Sequence, residues 1–219
     1  MEQTTTPEPT CQAQSHGAHL DRKAIGMLRT LGQQAFPPRA AVIGWRGVAE
    51  LMAIAKGLVR GCNERGISAD YCMHCLHWNA DAEFARRTLA EGDARFTDPA
   101  RGWKRANRKP RNWRCGTIKL IGADDGTRDA WADHVAAMVE GGDEGYGIVI
   151  HIAGGKERDI RGDLAVLTPV IGPDTTIAIC DVHQRGPSQA FEYMRTHEGW
   201  DGVEIADTGI LQRRDGPKE

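Results

Sequence analysis

The sequence predicts an α/β protein with a parallel, doubly wound sheet in its C-terminal half and a helical N-terminal half that carries a possible zinc knuckle. Three observations lead to this fold class. Short apolar runs alternate with helix-period segments over residues 116–211, which is typical of βα units. A long amphipathic stripe precedes them. The segment YCMHCLHW at residues 71–78 holds two cysteines at metal-ligand spacing.

The stripe consists of apolar residues at helical spacing, from Val48 to Cys62, and predicts a helix that ends between Gly61 and Gly66. A second helix is predicted to begin at Asn79, a favourable N-cap residue, and to end near residue 92. The cysteine pair would then lie in the connection between two helices.

The C-terminal half is predicted to alternate strands and helices. The predicted strands are residues 117–121, 148–152, 175–180 and 203–206. Helices are predicted from Thr127 to the Gly141–Gly142 pair, over residues 159–167, and from Pro187 onward. The run at 148–152 is almost entirely apolar, as expected for a strand that is covered on both faces.

Composition limits the class of protein. The chain has 219 residues, of which 40% are apolar and 26% charged, enough to bury a core in one large or two small domains. The formal net charge of −2 gives no overall attraction to nucleic acid or to an anionic membrane. No apolar run is long enough to span a bilayer, and the polar N-terminus lacks the apolar region of a secretory signal. A cytoplasmic location with reduced cysteines is therefore predicted.

The predicted organisation has five segments and no internal repeat. They are a disordered N-terminus at 1–22, a helical region with the Cys-x-x-Cys pair at 23–98, a basic segment at 99–115, an α/β domain at 116–211 and a polar tail at 212–219.

The cysteine cluster suggests a structural zinc site. Cys72 and Cys75 would supply two ligands, His77 (or His74) a third, and Cys115 a fourth. Such a shell is closed, and closed shells are structural. Unligated cysteines in a turn, or a redox dithiol, remain alternatives. A base-deaminase site is excluded, because Val48 replaces the ligand histidine upstream of Glu50 and Tyr71 replaces the motif proline.

The basic segment suggests contact with nucleic acid or a phosphorylated ligand. Its charged and aromatic residues are Trp103, Lys104, Arg105, Arg108, Lys109, Arg111, Trp113 and Arg114. Basic side chains neutralise phosphates, and indole rings stack on unpaired bases. The alternative is an exposed basic loop whose tryptophans fold back onto the core.

Polar residues at the predicted strand ends suggest a catalytic site, because ligands of parallel sheets bind outside the carboxyl ends of the strands. The candidates are Asp124, Asp181, His183 and Glu204. Carboxylates and imidazoles that converge there could hold a divalent cation such as magnesium. The turn AGGKER at 153–158 is a weaker phosphate signal. Helix capping and turn formation are the alternative roles.

Three functional hypotheses follow, and the sequence leaves open whether the protein is an enzyme. The first is an α/β enzyme that acts on a phosphorylated or nucleic-acid substrate, with metal-dependent phosphodiester chemistry as the candidate reaction. The second is a non-enzymatic, zinc-stabilised nucleic-acid-binding or adaptor protein. The third is a cysteine hydrolase in which His151 activates Cys180.

Overall fold

The computed structural model describes residues 22–67, 71–76, 117–121, 128–152 and 154–214. Its helices are α1 (Arg22–Gln34), α2 (Val48–Glu64), α3 (Arg128–Glu140), α4 (Glu157–Leu167) and α5 (Arg185–His197), with a 3₁₀ turn at Thr168–Val170. Its strands are β1 (Arg39–Ile43), β2 (Cys72–Leu76), β3 (Thr117–Ile121), β4 (Tyr146–His151), β5 (Ile171–Cys180), β6 (Trp200–Ile205) and β7 (Thr208–Arg213).

The described strands form one seven-stranded sheet in the order β3-β2-β1-β4-β5-β7-β6. The pairings from β3 through β5 are parallel, and β7 runs antiparallel to both β5 and β6. Strands β1, β2 and β3 lie side by side in chain order, and β4 then pairs with the opposite edge of β1. The strand order therefore reverses between β1 and β4, which creates a topological switch point at their carboxyl ends.

Each face of the sheet is covered by helices. On one face, α1 and α2 pack against β1, β4 and β5 through Leu31, Ile54, Leu58 and the strand residues Val42 and Ile150. On the other face, α3, α4 and α5 contribute one shared cluster with Val149 and Ile179; its helical members include Trp131, Leu164 and Phe191. Successive side chains of a strand point to opposite faces, and both faces are covered, so the middle of the central strands is apolar, as in residues 40–43 of β1 and 148–150 of β4.

Close backbone contact joins α1 to α2. A Cβ on Gly57 would lie 2.1 Å from the carbonyl oxygen of Arg29, and one on Gly32 would lie 2.3 Å from that of Ile54. Gly61 shows the same close approach, at 2.3 Å from the carbonyl oxygen of Gln33. Glycine at these positions lets the two helices approach closely, and this contact fixes the position of α2 on the sheet.

The α/β class and most of the predicted elements of the C-terminal half are confirmed. Strand β3 spans the predicted residues, α2 begins at Val48 as predicted, and β4, α4, β5, α5 and β6 all lie where strand–helix alternation placed them. The helix predicted at Asn79 lies outside the described residues. The five domain boundaries remain predictions.

Two parts of the predicted fold are wrong. The sheet is mixed rather than parallel throughout, and it is not confined to the C-terminal half, because β1 and β2 come from the region predicted to be helical. Strand β7 adds the antiparallel pairing through a tight hairpin in which Ala206 and Asp207 have φ angles of 48° and 63°. Positive φ at both central residues is the geometry of a type I′ turn, whose twist matches that of paired strands.

None of the helices in the described part of the chain combines the length and apolarity that crossing a bilayer requires.

Candidate active site

The candidate site lies at the carboxyl ends of β1 and β4. Ile43 and His151, the last residues of these strands, are partners in the parallel register. Each strand is followed by a glycine with positive φ: Gly44 at 65° after β1, and Gly154 at 64° after β4. Glycine adopts this conformation at no steric cost, so both turns leave the sheet sharply at the switch point.

The turn after β1 is held by Glu50. This residue is the third of α2, and Gly47 is the N-cap. The Glu50 carboxylate accepts hydrogen bonds from the backbone N–H groups of Arg46 and Gly47. A glutamate at this position that reaches back to the N-cap region is half of a capping box, and it satisfies donors that the helix leaves without partners. Glu50 thus fixes the shape of the Gly44–Gly47 turn.

Arg46 extends this network across the sheet. Its Nε lies 3.2 Å from Oε1 of Glu50, and its Nη1 lies 3.0 Å from Oδ2 of Asp181, which follows β5. Asp181 has a φ of 59°, a left-handed conformation that is uncommon outside glycine and clusters at functional sites. Burial lowers the pKa of Arg46, but the charges of Glu50 and Asp181 more than offset it, and the net shift is upward.

The described residues leave space beside the turn. Gly47 has a φ of −178°, which any residue adopts, and a Cβ built on it meets no described atom within 4 Å. A Cβ on Gly155 likewise meets no described atom within 4 Å. Packing within the described residues therefore does not require glycine at position 47, whereas close approach of a ligand to the backbone would.

Burial of Glu50 gives a prediction about pH. Burial is the largest influence on its carboxyl group and raises the pKa above the ordinary 4.5, although the contacts with Arg46 lower it in part. A raised folded-state pKa means that the folded protein binds the proton more tightly, so the Glu50 contribution to stability is complete below pH 4.5 and declines as the pH rises through the raised value. We expect the wild type to lose stability relative to Glu50→Gln as the pH rises above 4.5, as measured by urea denaturation of both proteins at a series of pH values.

Glu64→Gln serves as the matched control on the same helix. Glu64 is exposed, and its hydrogen bonds with Arg60 and Gln33 lower its pKa, so its difference from wild type should stay constant above pH 4.5 and shrink only as the pH falls below that value. A Glu50→Gln difference that instead favours the wild type increasingly at high pH would contradict the prediction.

A second network lies under the carboxyl end of β4. His151 is 1% exposed, and its Nε2 lies 3.2 Å from Oδ2 of Asp163 on α4. The other carboxylate oxygen of Asp163 accepts a hydrogen bond of 2.7 Å from Nε of Arg128, at the start of α3. A carboxylate can only accept, so Nε2 of His151 carries the proton and Nδ1 is left as an acceptor. Within the described residues, Nδ1 is buried without a hydrogen-bond partner.

The predicted catalytic residues do not converge. Asp181 lies at the candidate site, but Glu204 is exposed in β6, which β7 separates from β5, a distance of about 10 Å at the usual strand spacing. His183 is exposed, with Nδ1 4.0 Å from Oδ1 of Asp207. Asp124 lies outside the described residues. Among the described residues, no group of three or more His, Cys, Asp or Glu side chains is placed to hold a metal ion.

The predicted zinc cofactor is wrong. Cys72 and Cys75 lie in strand β2 rather than in a turn, and positions three apart in a strand face opposite sides of the sheet. Cys75 is buried on the α1–α2 side with Met73, whereas Cys72 contacts His74 on the α3 side. The two sulfurs therefore cannot share one ion. His77 and Cys115 lie outside the described residues.

The predicted cysteine hydrolase is wrong for a related reason. His151 and Cys180 end neighbouring strands, but Cys180 packs in the cluster on the α2 face, whereas His151 is bonded to Asp163 on the α4 face. Burial, together with the charges of Asp181 and Glu50, raises the pKa of Cys180 to about 12, so the thiol stays protonated at neutral pH. The segment predicted to contact nucleic acid, residues 103–114, lies outside the described residues.

Comparison with known proteins agrees with this architecture. No known family profile matches the sequence, and no curated protein matches it. Several solved O-methyltransferases share the fold. The enzyme from Bacillus cereus, solved with SAH, has a TM-score of 0.54 at 13% identity and aligns with 88% of this chain and 80% of its own. TomG from Streptomyces achromogenes, involved in tomaymycin synthesis and solved with SAM, has a TM-score of 0.53 at 12% identity over 89% and 80%.

A third neighbour extends the comparison. CalS11, a TDP-rhamnose 3′-O-methyltransferase of calicheamicin biosynthesis, has a TM-score of 0.58 at 9% identity and aligns with 87% of this chain and 78% of its own. At these identities the likeness establishes the fold: this chain has the Rossmann-like architecture of these methyltransferases. The molecules named for the first two neighbours are small molecules, SAH and SAM.

These neighbours overturn the functions predicted from sequence. Phosphodiester chemistry on a phosphorylated or nucleic-acid substrate, with magnesium as cofactor, is wrong, because the proteins that share this fold are O-methyltransferases. The zinc-stabilised adaptor is wrong as well. The sequence predicted phosphate chemistry for polar side chains at the strand ends, whereas the structure holds Glu204 two strands away from Asp181.

Sequence reasoning missed the residues that organise the site. Glu50 was considered only as a possible deaminase residue, and Asp163 and Arg128 were not considered at all. The sequence does carry one signal for the turn that Glu50 holds. A short apolar run followed by GWRG and a helical stripe is the pattern of a buried strand, a tight turn and a helix. The pairing of Asp163 with His151 joins different elements, and single-sequence periodicity does not report it.

Proposed function

We propose that the protein is an S-adenosylmethionine-dependent methyltransferase that methylates a hydroxyl group of a small molecule. The observation that carries the proposal is the reversal of strand order between β1 and β4, with open glycine turns at the carboxyl ends of both strands, in a sheet shared with O-methyltransferases. Ligands of open α/β sheets bind at such switch points.

The residues present fit this cofactor. The positive end of the α2 dipole favours a carboxylate, and Asp181 at the end of β5, which Arg46 holds in place, provides a carboxylate for the cationic part of the molecule. No atom of the described residues lies within 4 Å of a Cβ on Gly47, which permits close approach of the cofactor to the backbone. We assign the Gly44–Gly47 turn and Asp181 to cofactor binding. The bound cofactor supplies a methyl group activated by a sulfonium.

We assign His151 to the acceptor side of the reaction. It is the register partner of Ile43, so it lies directly beside the turn. Asp163 holds its Nε2–H, and Nδ1 is a buried acceptor without a partner among the described residues, a costly state that an acceptor hydroxyl would relieve. As the hydroxyl oxygen becomes methylated, its proton passes to Nδ1 of His151. General-base catalysis of this kind typically contributes about 10²- to 10⁴-fold.

Calorimetric titration tests the proposal. We expect the wild type to bind S-adenosylmethionine and S-adenosylhomocysteine with dissociation constants between about 1 μM and 1 mM, the usual range for enzyme substrates. Gly47→Val should weaken both at least about tenfold, or roughly 1.4 kcal/mol, because its side chain fills the space beside the turn.

Gly26→Val is the matched control. Gly26 lies in α1, is exposed, and a Cβ there also meets no described atom within 4 Å, but it is not part of the Gly44–Gly47 turn. Its affinity should equal that of the wild type. Absence of binding to the wild-type protein, or equal affinity in the wild type and Gly47→Val, would refute the assigned site.

A further inference from the structure

A second cluster of reactive side chains lies at the opposite edge of the sheet. Cys72 begins β2, and His74 follows on the same face, with the cysteine Sγ 3.1 Å from Nε2 of the histidine. Nδ1 of His74 lies 2.7 Å from the hydroxyl of Tyr146, the first residue of β4, and 3.0 Å from Nε2 of His134 on α3. The rings of His74 and His134 meet edge to face, with centroids 4.5 Å apart.

The hydrogen bonds of Tyr146 set the direction of this network. Its hydroxyl donates to Sδ of Met138 at 3.3 Å, and burial raises its pKa, so the hydroxyl keeps its proton. With its proton directed to Met138, the Tyr146 oxygen can accept from Nδ1–H of His74, and this is the tautomer that we assign. That leaves Nε2 of His74 as the acceptor that faces the Cys72 sulfur, which is the tautomer needed to take the thiol proton.

Cys72 differs from the other cysteines in the described ranges. Cys62, Cys75 and Cys180 are buried, whereas Cys72 is partly exposed. Burial strongly raises the pKa of Cys75. Cys72, the partly exposed cysteine of these four, thus has an imidazole nitrogen 3.1 Å from its sulfur. A nucleophile, a base, and a third group that orients the base is the arrangement of activated thiols.

We propose that Cys72 is a reactive thiol activated by His74, and that hydroperoxides oxidise it to a sulfenic acid. The thiol proton moves to Nε2 of His74. The thiolate sulfur attacks one oxygen of the hydroperoxide, the S–O bond forms as the O–O bond breaks, and the leaving oxygen takes the proton from His74. The products are cysteine sulfenic acid and an alcohol, or water when the oxidant is hydrogen peroxide.

This site is separate from the proposed active site. Cys72 and Leu76 are the two ends of β2, and four steps along a strand span about 13 Å. The proposal does not depend on methyl transfer, and either can fail without the other.

Site-resolved alkylation tests the activation of the thiol. The intact protein is treated with iodoacetamide at pH 7, and the modification of each cysteine is followed by peptide mass spectrometry. We expect Cys72 to react about tenfold faster than glutathione under the same conditions. The buried Cys62, Cys75 and Cys180 should remain unmodified in the folded protein and serve as internal controls. Hydrogen peroxide followed by a sulfenic-acid trap should label Cys72.

Two variants test the role of the imidazole. His74→Gln should reduce the Cys72 rate to that of glutathione, and Tyr146→Phe should reduce it several-fold, because the phenyl ring no longer fixes the histidine tautomer. Thermal melting followed by circular dichroism reports whether each variant is folded. If His74→Gln does not fold, the proposal is tested by the alkylation rate of Cys72 in the wild type and in Tyr146→Phe. A wild-type Cys72 that reacts no faster than glutathione, or a rate unchanged in the folded variants, overturns the proposal.

Discussion

Replacing Gly57 with leucine is expected to destabilise the protein by at least about 3 kcal/mol, the upper part of the range for overpacked sites. The Cβ alone would lie 2.1 Å from the carbonyl oxygen of Arg29 and 2.8 Å from the backbone nitrogen of Gln33. Backbone atoms of a packed helix cannot move aside as a flexible side chain can. The helices α1 and α2 must separate, and the cluster of Leu31, Ile54 and Leu58 between them and the sheet loosens.

Urea denaturation followed by circular dichroism measures this effect, with Gly26→Leu as the control. Gly26 is an exposed helical glycine with no described atom within 4 Å of a Cβ, so leucine there should stabilise the protein by up to about 1 kcal/mol through helix propensity. If leucine lowers the free energy of unfolding at position 57 and raises it at position 26, the difference is due to the close contact between the helices. A Gly57→Leu protein within about 0.5 kcal/mol of the wild type would show that the helices do not approach as described.

Replacing Asp163 with asparagine is expected to lower methyl transfer by about 10²- to 10⁴-fold while leaving cofactor affinity unchanged. The substitution preserves size, but the asparagine amide can donate as well as accept. The carboxylate no longer holds the proton of His151 on Nε2, and the competing tautomer places a proton on Nδ1, the nitrogen assigned to accept it. Transfer can be followed as release of S-adenosylhomocysteine with a panel of hydroxylated acceptors.

Nitrogen-15 NMR of the histidine rings gives a readout that needs no acceptor. In the wild type, His151 should carry its proton on Nε2, and in Asp163→Asn a population with the proton on Nδ1 should appear. Asp159→Asn, one turn earlier on α4, is the matched control and should change neither the tautomer nor the rate, because the carboxylate that contacts His151 is that of Asp163. An unchanged tautomer in Asp163→Asn would remove the positioning role assigned to this residue.

Gly57 and Asp163 belong to helices on opposite faces of the sheet, and both faces contribute to the candidate site. On one face, the glycine contact between α1 and α2 places the N-terminus of α2, and with it the Glu50-capped turn, beside the end of β1. On the other, α4 brings Asp163 under the end of β4. The site is therefore assembled by helices packed on opposite sides of one sheet, and the strand register between Ile43 and His151 brings the two halves together.

Hydrophobic periodicity predicted much of the C-terminal half correctly. Around residues 131–139 the apolar residues recur at the helical period of 3.6, and the structure has α3 there. Residues 148–152 are apolar almost without interruption, and the structure has β4 there. The same reasoning failed for β1 and β2. The strand RAAVI has five residues, too few to show a period, and β2 contains two cysteines and a histidine that resemble a ligand cluster more than a strand. Both are recognised as strands only by their parallel pairing with neighbours distant in sequence.

The sequence alone determined the α/β class, the position of most C-terminal elements, and the sheet edge at which function was expected, because these depend on local periodicity and on a general rule for parallel sheets. Only the tertiary structure decided which face each side chain occupies. Strand β2 separates Cys72 from Cys75, β7 holds Glu204 away from Asp181, and α4 joins Asp163 to His151. Each of these results depends on register and packing between distant segments, which local sequence patterns do not encode.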